Sequence, residues 1–89
     1  MKPYIEEIHE KHGTKEFYRV RTYTEPFDTW FKEDSTQRIQ VFSGEGWNLQ
    51  ISENKPILME IGKQYSIPRK QFYRIIKGDE KLVLRVEII

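Results

Sequence analysis

The sequence predicts an all-β domain. Its segments are short and alternate polar with apolar residues, turn-forming residues separate them at close intervals, and only one stretch carries helix signals. Glu16 to Thr24 is rich in aromatic and β-branched residues and stops before Pro26. Gln37 to Phe42 places Ile39 and Val41 on one face and Arg38 and Gln40 on the other. Ser43-Gly44-Glu45-Gly46 is a turn, after which Trp47, Leu49 and Ile51 alternate in the next strand. Glu53-Asn54-Lys55-Pro56 turns the chain into Ile57 to Ile61, and Gly62 precedes short strands at Tyr65 to Ile67 and Phe72 to Ile76. Lys77-Gly78-Asp79-Glu80 is a hairpin turn into Lys81 to Ile89, where Leu82, Leu84, Val86 and Ile88 give the cleanest period-two pattern in the chain. Many short strands with regular turns mean a β-sandwich or barrel.

The helix candidate lies in residues 1–15, which form an N-terminal segment ahead of a domain over residues 16–89. Pro3 suits a first helical position, Glu6 and Glu7 suit the positive end of the helix dipole, and Lys11 and His12 suit the negative end. Gly13 would supply the left-handed residue that ends the helix. A short helix is the favoured expectation, and a strand added to a sheet edge is its competitor.

With 89 residues the chain is one domain, burying only about 60–65 % of the surface it exposes unfolded. Five Tyr, five Phe and two Trp carry much of its apolar surface. Fifteen Lys and Arg against fourteen Asp and Glu leave a formal charge of +1, without the basic surplus of a nucleic-acid binder. The absence of cysteine excludes a disulfide framework, a thiolate zinc site and a cysteine nucleophile. The first residues lack the apolar core of a signal peptide, and no segment approaches the ~20 apolar residues that span a bilayer. The expectation is a soluble cytoplasmic protein that binds neither nucleic acid nor membrane.

Gly62 to Gly78 resembles the second motif of the cupins, G-x5-P-x-G-x2-H-x3-N. Gly62 and Pro68 match, while Lys70 replaces the second glycine, Tyr73 the histidine and Lys77 the asparagine. The first cupin motif, G-x5-H-x-H-x3-4-E-x6-G, ends in a glycine that Gly44 fits. Counting back puts Gln37 at its glutamate, and either Trp30 and Lys32 or, one residue later, Phe31 and Glu33 at its two histidines. The resemblance covers Asp28 to Ile88 and implies a small single-domain jelly-roll β-barrel. Strand parity agrees: Gln37 shares a face with Ile39 and Val41, and Tyr73 with Ile75.

In that family three histidines and a glutamate hold a divalent metal. Here lysine would repel a cation, tryptophan cannot ligate, glutamine is a weak neutral ligand, and a phenol must first lose a proton. The sequence therefore implies no metal and no cofactor. Trp30, Lys32, Gln37 and Tyr73 become candidate ligand-binding residues: a stacking face, a cation, an amide and a phenol, suited to a small anionic or sugar-like ligand. The competing expectation is a filled core with Lys32 snorkelling to its mouth. His9 and His12, with Glu6 one helical turn before His9, have metal-ligand spacing only if that segment is a helix. Arg19 and Arg21, like Arg38 and Arg74, are expected away from the interior, paired across strands with Glu16, Glu25 or Glu60. Phe31, Phe42, Phe72 and Ile76 on the outer faces predict burial in a homodimer.

Function then divides between a metal-free binding or structural module and a metal-independent sugar isomerase or epimerase with Tyr73 as acid. The second needs a base in hydrogen-bond reach, and no histidine follows His12. No catalytic residue is assigned.

Overall fold

The computed structural model describes residues 4–24 and 29–89 and contains eight strands and no helix among them. They are β1 (Tyr4–Glu10), β2 (Phe17–Tyr23), β3 (Gln37–Ser43), β4 (Asn48–Ile51), β5 (Ile57–Leu58), β6 (Gln64–Ile67), β7 (Tyr73–Ile76) and β8 (Leu82–Ile88). All pairs are antiparallel, in a five-stranded sheet ordered β1-β2-β8-β3-β6 and a three-stranded sheet ordered β5-β4-β7. The expected barrel is thus two separate ladders rather than one continuous hydrogen-bonded ring among the described residues.

The inward faces of both sheets pool into one core. Tyr23, Ile39, Val41, Leu82, Leu84 and Val86 come from the larger sheet, Leu49, Tyr73 and Ile75 from the smaller, and all are buried. Strand alternation produces this: the buried residues of β3 and β8 recur at every second position, as their sequence pattern predicts.

The N-terminal helix is not formed; Tyr4–Glu10 is an edge strand. A helix this short costs nucleation and gains little, whereas the strand gains a ladder with β2 running from Tyr4↔Tyr23 to Glu10↔Phe17. Gly13 does adopt the left-handed conformation (φ 74°), but in the hairpin turn between β1 and β2. There the Lys11 N–H donates to the Glu16 carbonyl at 2.8 Å, and the Thr14 N–H to the Lys11 carbonyl at 3.0 Å. Pro3 as a helix start, Pro26 as a strand stop and Glu25 as an ion-pair partner lie outside the described residues.

The two motif glycines that end turns are fixed by close packing. A Cβ on Gly44 (φ 107°) would sit 2.7 Å from the Lys81 carbonyl oxygen, and one on Gly78 would collide with the backbone of Glu45 and Gly46. The β3–β4 turn and the β7–β8 turn therefore press backbone to backbone. Trp47, fully buried, closes this contact by donating its indole N–H to the Glu80 carbonyl at 2.6 Å.

Candidate functional site

Phe31 and Tyr73 bring the two motif regions together. Each backbone N–H donates to the other's carbonyl at 2.8 Å, the pair forms an antiparallel bridge, and the rings lie 6.2 Å apart. In an antiparallel pair, directly opposite residues share a face and their neighbours share the other. Phe31 and Tyr73 point inward, so Trp30 lies opposite Arg74 and Lys32 opposite Phe72 on the outer face. The cation contacts agree: the Arg74 guanidinium sits 4.9 Å from the Trp30 ring centre and the Lys32 ammonium 5.0 Å from that of Phe72.

The four candidate residues accordingly divide. Gln37 and Tyr73 meet inside, while Trp30 and Lys32 stand on the exposed outer face. Of the two alignments for the first motif, the one placing Phe31 and Glu33 at the histidine positions has the inward parity. Phe31 is therefore removed from the expected outer aromatic surface and packs against the core.

Inside, Gln37 and Tyr73 belong to a polar cluster organised by Arg21, which the sequence reading placed away from the interior. Register explains the correction: Arg21 pairs with Leu84 of β8, and its neighbours on that face, Arg19 and Tyr23, pair with Val86 and Leu82, all inward residues. Arg21 is 4 % exposed. Its Nε donates to Glu6 Oε2 at 2.7 Å and its Nη1 to Gln37 Oε1 at 3.1 Å, and its guanidinium lies 4.5 Å from the Tyr4 ring centre. Arg19 leans on the same carboxylate at 3.8 Å. The expected partners Glu16 and Glu60 instead hold Lys11 and Lys63.

Burial works to lower the Arg21 pKa, but the hydrogen bond to Glu6, with Tyr23 and Tyr4 alongside, holds it above its ordinary value. Burial pushes Tyr23 far above the ordinary phenol range despite its bond to Arg21. Burial raises Tyr73 as well, opposed by the Arg21 charge and supported by that of Glu33, while a hydrogen bond from Gln37 pulls it back. No buried side-chain nitrogen or oxygen of this cluster lacks a partner. A satisfied buried network fixes a structure rather than holding donors ready for a visitor.

The metal that the fold family implies does not fit these residues. Gln37 stands where the motif has glutamate, and its carbonyl oxygen is already taken by a guanidinium, a permanent cation that would repel another. Phe31 offers no donor, and Tyr73 is held protonated by burial. Among the described residues, no three His, Cys, Asp or Glu side chains gather into a metal-binding group. His9 and Glu6 fall on opposite faces of β1, and His9 stacks on Tyr18 at 5.5 Å, which removes the helical metal spacing.

The outer face holds a cleft. Trp30 and Phe72 flank an open cleft of about 690 Å³ whose other walls are Ser52, Glu53 and Asn54. Trp30 is 38 % and Phe72 51 % exposed. The turn carrying Ser52 to Asn54 is tied to the sheet: the Ser52 N–H donates to the Phe72 carbonyl at 2.7 Å, the Asn54 N–H to the Ile51 carbonyl at 3.1 Å, and Gln50 Nε2 to the Asn54 carbonyl at 3.0 Å. The sequence marks Trp30 and Lys32 as candidates and Glu53-Asn54-Lys55-Pro56 as a turn, but nothing in it joins that turn to Trp30.

No protein-family model matches the chain, and no curated protein matches its sequence. Solved structures do match its shape. A cupin domain from Bordetella pertussis superposes over 100 % of this chain and 98 % of its own, with a TM-score of 0.67 at 15 % identity. The Cnp3 cupin domain of Schizosaccharomyces pombe gives 0.75 at 12 % identity, over 97 % of this chain and 64 % of that one. The fold is a cupin fold. A cupin-2 domain protein from Shewanella frigidimarina adds a TM-score of 0.71 at 15 % identity, covering 100 % of this chain and 84 % of its own. At these identities the likeness concerns the fold alone. None of the described residues forms a helix long and apolar enough to cross a membrane.

Proposed function

We propose that this chain is a metal-free cupin-fold binding module, with an inward cluster that is structural and a ligand site elsewhere on its surface. The observation that carries the reading is the buried Arg21 guanidinium bonded to Gln37, at the position where the resemblance places a metal-binding glutamate. A fixed cation with its own carboxylate, Glu6, occupies the electrostatic place of a metal ion. The pocket expected between the sheets has less support than the filled interior, because Gln37 and Tyr73 are both buried and bonded within the chain.

The isomerase or epimerase reading has little to stand on. Tyr73 is 3 % exposed, and burial holds its proton more tightly than usual. His9 is committed to the outer face, on Tyr18. A homodimer remains part of the proposal, on a different surface from the outer aromatics expected from the sequence: Ile8, Phe17 and Ile88, on the inward-parity side of the larger sheet, are exposed around a concavity of about 310 Å³ that a second copy would cover. Sedimentation at micromolar concentration should then give twice the chain mass, and a monomer would reject that part.

The central test is metal loading. Purified protein incubated with divalent manganese, iron, nickel or zinc and then desalted should retain far less than one ion per chain by elemental analysis, with an unchanged Tm. One bound ion per chain would overturn the proposal.

A further inference from the structure

We propose that the outer cleft between Trp30 and Phe72 binds neutral oligosaccharides, one pyranose ring lying against the aromatic faces. This rests on reading the chain as a binding module, and it places the ligand on the outside of the smaller sheet.

Four observations point to that chemistry. Two aromatic rings stand exposed at the rim of one cleft, where they would otherwise present apolar area to water. The C–H face of a pyranose is the polar molecule's apolar side and matches such rings. Beside them, Ser52, Glu53 and Asn54 offer a hydroxyl, a carboxylate and an amide, donors and acceptors together, as a row of sugar hydroxyls requires. Both parts are held in place before any ligand arrives: Arg74 braces Trp30, Lys32 braces Phe72, and three backbone-directed hydrogen bonds fix the turn.

Charge narrows the ligand. Glu53 lines the cleft while the cations of Lys32 and Arg74 contact its two rings, so the charges around it are of both signs and favour neither an anion nor a cation, which suits a neutral molecule. Size and shape agree. About 690 Å³ falls within the ~300–1,000 Å³ typical of small-ligand sites, and the cleft is open to solvent, which suits one unit of a longer chain.

The test is a titration of the full isotope-labelled chain with cellohexaose and with chitohexaose, followed by amide and indole NMR signals. The chain has two tryptophans, one at the cleft and one sealed in the core, so Trp47 serves as an internal reference. At least one of the two sugars should shift the Trp30 indole and the amides of residues 52–54 and 72 saturably, leaving the Trp47 indole in place. Trp30→Ala and Phe72→Ala should each weaken binding roughly tenfold, with Tm preserved.

No shift with either sugar at millimolar concentration would overturn the proposal. So would shifts centred on Trp47 and Tyr73, or affinity untouched by both substitutions. If Phe72→Ala instead converts a dimer to a monomer, the cleft belongs to a second copy and the proposal fails. Metal loading is a separate readout: one ion per chain would defeat the metal-free reading while leaving the sugar result to stand or fall alone.

Discussion

Tyr73 and Phe72 are neighbours in sequence, yet Tyr73 is buried against Gln37 while Phe72 stands half exposed beside Trp30. Phe31 and Trp30 divide the same way on the facing segment. A single crossing of two extended segments thus gives one closed side, where the buried side-chain nitrogens and oxygens around Arg21 have partners, and one open side, where aromatic area and hydrogen-bonding groups face solvent. The difference shows that the inward side of this cupin-like fold is not empty: Arg21, with Glu6 and Gln37, fills the space between the sheets. It also shows how little separates the two outcomes, since a slip of one residue exchanges the faces.

The sharpest way to break this contrast is to unbalance the inward cluster. Glu6→Ala leaves the Arg21 charge buried without its counter-ion and should cost about 3 kcal/mol by denaturant unfolding. Adding Arg21→Met to it should recover most of that loss, because the penalty belongs to the orphaned charge. A double variant no more stable than Glu6→Ala would mean the cluster does not act as a pair. Alkaline pH attacks the same region. Tyr23 and Tyr73 have folded pKa values raised by burial, so their contribution is intact below the ordinary phenol value of 10.0 and declines as pH rises beyond it. Tm should therefore fall progressively above pH 10.0, and Tyr23 should keep its proton in the folded protein well beyond the ordinary phenol range. Ionisation of Tyr23 at the ordinary phenol value in the folded protein would show an interior open to water.

Tyr73→Phe makes a milder probe. Losing the phenol leaves the Gln37 amide short of one partner and should cost about 1 kcal/mol, with oligosaccharide binding unchanged. A change in that binding would tie the closed side to recognition. The smallest effect belongs outside: Phe72→Ser should change stability by no more than about 0.5 kcal/mol, since the ring is exposed. A much larger loss would make the open face a structural element instead.

Much of the fold was legible because period-two patterns in β3, β7 and β8 matched burial directly, and the inward placement of Gln37 and Tyr73 followed from parity. Arg21 was not legible. Its own face carries two arginines between Phe17 and Tyr23, while the opposite face carries Tyr18, Val20 and Thr22 without a charge, so the charge pattern alone favours the wrong side of β2. The decisive partner, Glu6, lies on a strand whose Glu pair, with Gly13 in the turn after it, reads locally as helix signals, and tertiary pairing overrode them. For the two histidine positions of the first motif the sequence left two registers open, Trp30 with Lys32 or Phe31 with Glu33, because their segment makes only an isolated bridge, which leaves no alternation to count.

The backbone contact between Gly78 and the Glu45–Gly46 turn, sealed by Trp47 on the Glu80 carbonyl, bears on how the molecule forms. Neither corner is complete without the other, although 33 residues separate Trp47 from Glu80. Refolding must therefore wait for a distant pairing, which places the chain among slower, topology-limited folders. Quenching or recovery of the sealed indole's emission would time that final docking step.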